Sequence, residues 1–286
     1  HLSFEDIAID DKNGITFLSG DNREWFSTFM LPSSRKMGEI LKFNFSSEQF
    51  ETIPLINYKY HHFHPLGISH VVFDQQKAER VKIKFIDDVV AADEQSFYVT
   101  TVLHYRPDQS LLLCQFEILT QRSWTNVIFC SKKISNNWKC NVVVDQIKTA
   151  NGIFSSNDMK TIYVAASIEK KIRVYNRHPD NNSLILSQSL SLPGIPDNVV
   201  VNADGQLLVG SHPKMFSFML HSIFPSKYHS PAQVLLLKKP THTTFEEILI
   251  TNGEQLSAAT TAVSYKNKLI VGAYLSPGIL VCEHLL

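Results

Sequence analysis

The chain has 286 residues, and 27 Lys and Arg balance 27 Asp and Glu for a formal net charge of zero. That balance provides no basic stripe for nucleic acid and no charged run of the kind that makes a disordered tail. The length suits one large all-β domain or two smaller ones, and no apolar run approaches the roughly 20 residues of a membrane-crossing helix.

Strand-like runs alternate with turn signals along nearly the whole chain. An acidic pair, Glu5-Asp6, precedes the apolar run Ile7-Ala8-Ile9, and Gly14–Ser19 and Glu39–Phe45 follow as strands. Asp87-Asp88 precedes Val89-Val90-Ala91, then come Ser96–Thr100 and Val127–Cys130. Leu111-Leu112-Leu113 and Leu235-Leu236-Leu237 read as buried strand segments. Asn151 precedes Gly152-Ile153-Phe154, and the turn Asn157–Lys160 leads to strands at Thr161–Ala165 and Lys171–Tyr175. Asp197-Asn198 precedes Val199-Val200-Val201, and the turn Asn202-Ala203-Asp204-Gly205 leads to Gln206–Gly210. Tyr265-Lys266-Asn267 leads to Lys268–Gly272. No amphipathic helix and no linker stand out. Units of roughly 40–50 residues built from a polar turn and an apolar strand predict a β-propeller, with a β-sandwich as the alternative. A sandwich of this length would need two domains, so the prediction is a single propeller domain over residues 1–286.

Four cysteines, Cys114, Cys130, Cys140 and Cys282, show no zinc-type spacing. Cys130 and Cys140 flank the turn-like Ser135-Asn136-Asn137, so two outcomes are open, a cross-strand disulfide or two reduced thiols. Sequons at Asn44-Phe45-Ser46 and Asn181-Asn182-Ser183 are compatible with a secreted glycoprotein. The first residue is His1 rather than Met, which marks a mature form or a fragment with any signal peptide out of view.

Oxygen-bearing side chains thus recur beside short apolar runs, at Glu5-Asp6, Asp87-Asp88, Asn151 and Asp197-Asn198. Hard oxygens delivered from several separate strand ends are what a Ca²⁺ site requires. Taken singly, each is an ordinary polar group at a strand end.

At the level of ordered motifs the chain resembles the paraoxonases, the secreted arylesterase/lactonase family. Ser3-Phe4-Glu5-Asp6, Pro65-Leu66-Gly67-Ile68-Ser69, Asp87-Asp88-Val89-Val90-Ala91, Ala150-Asn151-Gly152-Ile153, Asp197-Asn198-Val199, Val209-Gly210-Ser211-His212-Pro213, Tyr265-Lys266-Asn267-Lys268-Leu269 and Cys282-Glu283 follow the family's order. The resemblance implies a six-bladed propeller holding two Ca²⁺ ions, with one early blade here shortened or incomplete. It implies that Glu5, Asp87, Asn151, Asp197 and Asn198 bind a catalytic ion, and that Asp6, Asp88 and the carbonyl of Ile68 bind a structural one. The implied activity is hydrolysis of a small-molecule ester or lactone by water attack on a metal-polarised carbonyl. His104 and His212 are the candidates for proton transfer.

The chain departs from the family pattern at several points. Leu66 stands where the family has a histidine of a water-activating pair, and leucine cannot accept a proton. Ile68 to Asp88 is shorter than in the family by most of a blade, although Val71–Phe73 and Val81–Phe85 offer two strands there. His61, His62, His64 and His70 cluster nearby without the pair's spacing. Asp87 replaces an asparagine and Ser211 a free thiol, and Cys282 lacks an early cysteine partner. Two functional readings follow: a Ca²⁺-dependent hydrolase, or a Ca²⁺-stabilised propeller that binds without turnover. Either is expected to be secreted or membrane-associated on the extracellular side, with lipid or membrane association through a segment not present here.

Overall fold

The computed structural model describes residues 2–21, 38–54, 67–68, 85–105, 110–132, 138–238 and 244–283. It divides into two compact units, one of residues 1–68 with 193–286 and one of residues 69–192. Both are built from antiparallel meanders in which consecutive strands pair, the blade type of an all-β propeller. Five such sheets occur among the described residues. The stretch expected to hold the shortened blade, including Val71–Phe73 and most of Val81–Phe85, lies outside them, as do Leu66, His61, His62, His64 and His70.

The first unit holds three sheets. One runs β1 (Ser3–Asp10), β2 (Ile15–Asp21), β3 (Glu39–Asn44) and β4 (Gln49–Ile53). Another runs β13 (Ile195–Val201), β14 (Leu207–His212), β15 (Gln233–Leu237) and β16 (Glu246–Ile250). The third is β17 (Ala259–Tyr265), β18 (Lys268–Ala273) and β19 (Leu280–Glu283). The expected turns form with the chemistry their residues supply. Asn202 Oδ1 accepts the N–H groups of Asp204 and Gln206 at 3.1 and 2.9 Å, and Gly205 takes a φ of 76°. Leu208, Val234, Leu236, Ala259, Ala262, Leu269 and Val271 form one buried cluster spanning two of these sheets. Full burial of each larger aliphatic side chain contributes about 1.5–3 kcal/mol.

The second unit holds β5 (Phe85–Asp93), β6 (Ser96–Leu103), β7 (Thr125–Lys132) and β8 (Trp138–Ile147) in one sheet. Its other sheet is β9 (Ala150–Ser155), β10 (Thr161–Ala166), β11 (Lys171–Arg177) and β12 (Leu184–Ser191). Val90, Tyr98, Val127, Ile147, Ile153, Ile162 and Val164 form a core cluster shared by both sheets. The Tyr98 hydroxyl donates to the Asn182 carbonyl at 2.9 Å and ties the sheets at their rim.

Two helices correct the sequence reading. Leu111-Leu112-Leu113 opens α1 (Leu111–Leu119) rather than a strand, and Leu112 is 78% exposed. Ser110 caps it, its side chain accepting the Leu113 N–H at 3.4 Å, a local bond that favours a helix start over a ladder. The other helix is α2 (Met215–Ile223), inserted between β14 and β15, whose N-cap Lys214 makes no side-chain bond. Leu235–Leu237 is buried strand, as expected. Among the described residues no helix is long and apolar enough to cross a membrane.

Cys130 and Cys140 lie directly opposite on β7 and β8 and form a disulfide, which resolves the alternative left open by the sequence. Closing a loop of 10 residues restricts the unfolded chain by about 2.5 kcal/mol. A Cys130→Ala/Cys140→Ala variant is therefore expected to lose about that much stability in urea unfolding. An unchanged midpoint would refute the estimate.

Candidate metal centre

The leading strand of each of the five sheets carries a pairing irregularity, and on four of them expected ligands sit at it. In β1, Phe4 pairs with Gly20 and Ile7 with Leu18, so Glu5 and Asp6 together face Ser19 alone. In β5, Ile86 pairs with Thr101 and Val89 with Val99, leaving Asp87 and Asp88 against Thr100. In β9, Asn151 and Gly152 face Ala165. In β13, Asp197 and Asn198 face Gly210. In β17, Ala259 pairs with Ala273 and Thr261 with Gly272, so Thr260 is extra. A two-against-one bulge bends the strand and re-aims its side chains. Strict alternation would send neighbours such as Asp197 and Asn198 to opposite faces, so the bulge is what lets both serve one end of the sheet.

The bulge is locked identically in both units. In the first, Asp6 N–H donates to Ser19 Oγ at 3.0 Å and Ser19 Oγ donates to the Asp6 carbonyl at 3.3 Å. Asp6 Oδ1 accepts the Ile7 N–H at 2.8 Å and Oδ2 the Ile68 N–H at 2.7 Å. In the second, Thr100 Oγ1 bridges the Asp88 N–H and carbonyl at 3.1 and 3.4 Å. Asp88 Oδ1 accepts the Val89 N–H at 2.6 Å and Oδ2 the Ile153 N–H at 2.7 Å. Each aspartate is buried and accepts a backbone N–H on each carboxylate oxygen. Both are thus fold elements as well as expected ligands.

Within the first unit, Glu5, Asp197 and Asn198 are all buried. Asn198 Nδ2 donates to the Glu5 carbonyl at 3.1 Å, which fixes the amide and turns Oδ1 away from that contact. Asp197 Oδ2 meets His212 Nε2 at 2.8 Å, and the imidazole stacks on Phe218 of α2 with centroids 3.9 Å apart and planes 15° from parallel. Asp197 Oδ1 and Asn198 Oδ1 are buried with no hydrogen-bond partner among the described residues, and so is Asn151 Oδ1 in the second unit. Helix α2 is itself anchored by His221, whose ring nitrogens meet the carbonyls of Tyr228 at 2.8 Å and Tyr274 at 3.1 Å. Burial holds the His221 imidazole below the usual histidine range, against the opposing pull of those carbonyls.

His104 lies in the second unit at the end of β6. Its N–H is held by the buried Glu117 carboxylate of α1 at 2.9 and 3.0 Å, and its ring packs on Tyr105 and Trp124. Cys282 is a partly buried thiol on β19, its pKa raised by burial. Among the described residues no three His, Cys, Asp or Glu side chains gather as metal ligands would; the expected ligands of the first unit's bulges include an asparagine amide beside two carboxylates. A cavity of about 520 Å³ opens elsewhere, beyond the far end of β13, lined by Asn202, Asp204, Lys238, Glu246 and Tyr265 among others, and touches none of these residues. Sequence reasoning missed Thr260: the bulge it occupies carries a hydroxyl rather than a carboxylate or amide, so the oxygen-ligand pattern did not include it.

Meander blades with oxygen donors at the bulges of their leading strands define an all-β propeller protein. The arylesterase family pattern matches residues 72–284. The chain is 33% identical over 202 residues to serum paraoxonase/arylesterase 2 of Bos taurus, covering 69% of this chain and 53% of that protein. It is 30% identical over 271 residues to serum paraoxonase/arylesterase 1 of Rattus norvegicus, covering 93% and 67%. Among solved structures, a luciferin-regenerating enzyme aligns at TM-score 0.54 and 13% identity, covering 94% of this chain and 83% of that one. Regucalcin of Agrobacterium tumefaciens, a calcium-binding protein, aligns at TM-score 0.53 and 11% identity, covering 94% and 81%. These two likenesses concern the fold. The chain belongs to the arylesterase family, as its ordered motifs implied, and it spans between about half and two thirds of the length of the paraoxonases named here.

Proposed function

We propose that this chain is a Ca²⁺-dependent hydrolase of small esters or lactones, with the ion held at the leading-strand bulges of a six-bladed propeller domain. The observation that carries the reading is the set of buried oxygens, Asp197 Oδ1 and Asn198 Oδ1 in the first unit and Asn151 Oδ1 in the second, with no partner among the described residues. An orphaned buried acceptor costs about 1–3 kcal/mol, and an oxygen-coordinated cation offsets that cost. Carboxylate and amide oxygens without sulfur or nitrogen favour Ca²⁺ over softer metals. Glu5, Asp197 and Asn198 would hold the ion in the first unit, and Asp87 and Asn151 offer the same donor types in the second. The proposal includes the second ion that the resemblance implies: each oxygen of Asp6 and of Asp88 accepts one backbone N–H and keeps a further lone pair for a cation.

When bound, the ion supplies polarisation of the ester or lactone carbonyl. His212 orients the Asp197 carboxylate, and Phe218 covers one face of that imidazole. His212 Nδ1 has no partner among the described residues and is the nitrogen open to hold a proton. His104 enters the proposal through the family resemblance. The Cys130–Cys140 bond supports an oxidising, extracellular setting. Of the two sequons, Asn181 is exposed in the turn between β11 and β12, whereas Asn44 is partly buried; the Oδ1 of each accepts a backbone N–H within its own turn. Asn181 is thus the better glycan acceptor.

Hydrolysis of phenyl acetate and of an aliphatic lactone, assayed before and after EDTA and again after Ca²⁺ is restored, tests the reading. Turnover is expected to vanish with EDTA and return with Ca²⁺. Turnover indifferent to EDTA would end it. Leu66, where the family has histidine, favours a second reading, a Ca²⁺-stabilised binding protein; that predicts a Ca²⁺-dependent rise in melting temperature with no turnover on either substrate.

A further inference from the structure

Three sheets of the first unit meet at one backbone atom. The carbonyl of Glu5, on β1, accepts Asn198 Nδ2 from β13 at 3.1 Å and Thr260 Oγ1 from β17 at 2.7 Å. Thr260 is the extra residue of the β17 bulge and has no solvent exposure. Its position matches that of the acidic and amide residues on the other leading strands, yet its hydroxyl is spent on a protein carbonyl. The approach is close on either side. A Cβ on Gly210 would lie 2.1 Å from the Thr260 carbonyl, and one on Gly272 would lie 2.3 Å from the Phe4 carbonyl.

We infer that Thr260 is a positioning residue for the proposed Ca²⁺ ligands: by bonding the Glu5 carbonyl it fixes the β1 bulge from which the Glu5 carboxylate projects, together with the Asn198 amide that shares this carbonyl. This rests on the calcium reading above. The bond restrains two ligand residues from two strands through one acceptor. Without it the Glu5 carbonyl loses the shorter of these two side-chain donors and retains the longer one from Asn198, so the coupling between Glu5 and Asn198 is loosened. Groups that orient metal ligands in this way typically change affinity 10–100-fold when removed.

The test is Ca²⁺ titration calorimetry on EDTA-stripped protein, for the parent, Thr260→Val and Thr260→Ser. Valine keeps the shape and removes the donor; serine keeps the donor. Thr260→Val is expected to weaken Ca²⁺ binding by roughly 10-fold or more, while Thr260→Ser stays within about threefold of the parent, below that range. The ion-free melting temperatures of parent and Thr260→Val should lie close together, because the Glu5 carbonyl keeps Asn198. A Thr260→Val protein that binds Ca²⁺ as tightly as the parent overturns the inference. So does an affinity loss matched by an equal loss in Thr260→Ser, since packing rather than the hydroxyl would then be responsible. A parent that binds no Ca²⁺ overturns the calcium reading itself, and this inference with it. If Thr260→Val does not fold, Thr260→Ala against Thr260→Ser gives the same contrast: lower affinity in alanine alone supports the role, and equal affinities refute it.

Discussion

Alanine at Gly210 is expected to leave a protein that is barely folded. The added Cβ would sit 2.1 Å from both the carbonyl carbon and oxygen of Thr260 and 2.5 Å from the Thr261 nitrogen. All three are backbone atoms of a buried strand, with no flexible side chain to swing aside. Overpacking of a core costs about 1–3 kcal/mol when side chains can adjust, and more when they cannot. We expect at least about 3 kcal/mol, a fall in melting temperature on the order of 10 °C. Gly205→Ala is the comparison: its φ is 76°, but nothing lies within 4 Å of the added atom, so only the backbone preference is lost, about 1 kcal/mol. Differential scanning calorimetry of both variants decides. Similar melting temperatures would mean that the close approach of β14 to β17 is not what fixes them together.

Asp6→Asn and Asp88→Asn are expected to destabilise almost as much as alanine at either site. An amide is nearly isosteric with a carboxylate, but each carboxylate here accepts a backbone N–H on both oxygens. The amide nitrogen would face one of those donors, leaving two buried N–H groups opposed. A lost charge-assisted bond with an unsatisfied donor costs about 2–4 kcal/mol. Asp197→Asn is the contrast, because one of its oxygens meets a histidine nitrogen and the other has no partner among the described residues. It should keep the ion-free fold within about 1 kcal/mol, because the asparagine oxygen can still accept from His212 Nε2. Chemical unfolding of the three variants in EDTA measures this. Comparable losses in all three, or none in the first two, would count against the bulge lock.

Much of the strand order could be read from the chain because the turns announce themselves: Asn202–Gly205 and Asn157–Lys160 carry side chains that satisfy their own backbone. The residues proposed as ligands also stood out, because oxygen-bearing residues stand before apolar runs at Glu5-Asp6, Asp87-Asp88, Asn151 and Asp197-Asn198. The bulges beneath them were not. A bulge is a property of pairing, and the residues that define it, such as Ser19 and Gly210, lie one strand away. Helix α1 was misread because Leu111-Leu112-Leu113 has no period of its own and the deciding signal is the Ser110 cap. Helix α2 starts without a capping side chain, and the stacking of its Phe218 on His212 is a tertiary contact with no local signal. Thr260 was overlooked because its role depends on a carbonyl 255 positions away in sequence.

The bulge in β5 ties the spacing of the acidic pair to the phase of the core. Beyond Asp87 and Asp88, Val90 enters the hydrophobic cluster while Val89 and Ala91 stay partly exposed. Removing one residue from the pair would restore regular pairing and exchange the two faces of the strand from there on. The chain can therefore vary which side chains stand at the bulge far more readily than how many. Drift between aspartate and asparagine at such a point leaves the fold's phase untouched, whereas a single-residue deletion there changes the donor set and the core in one step.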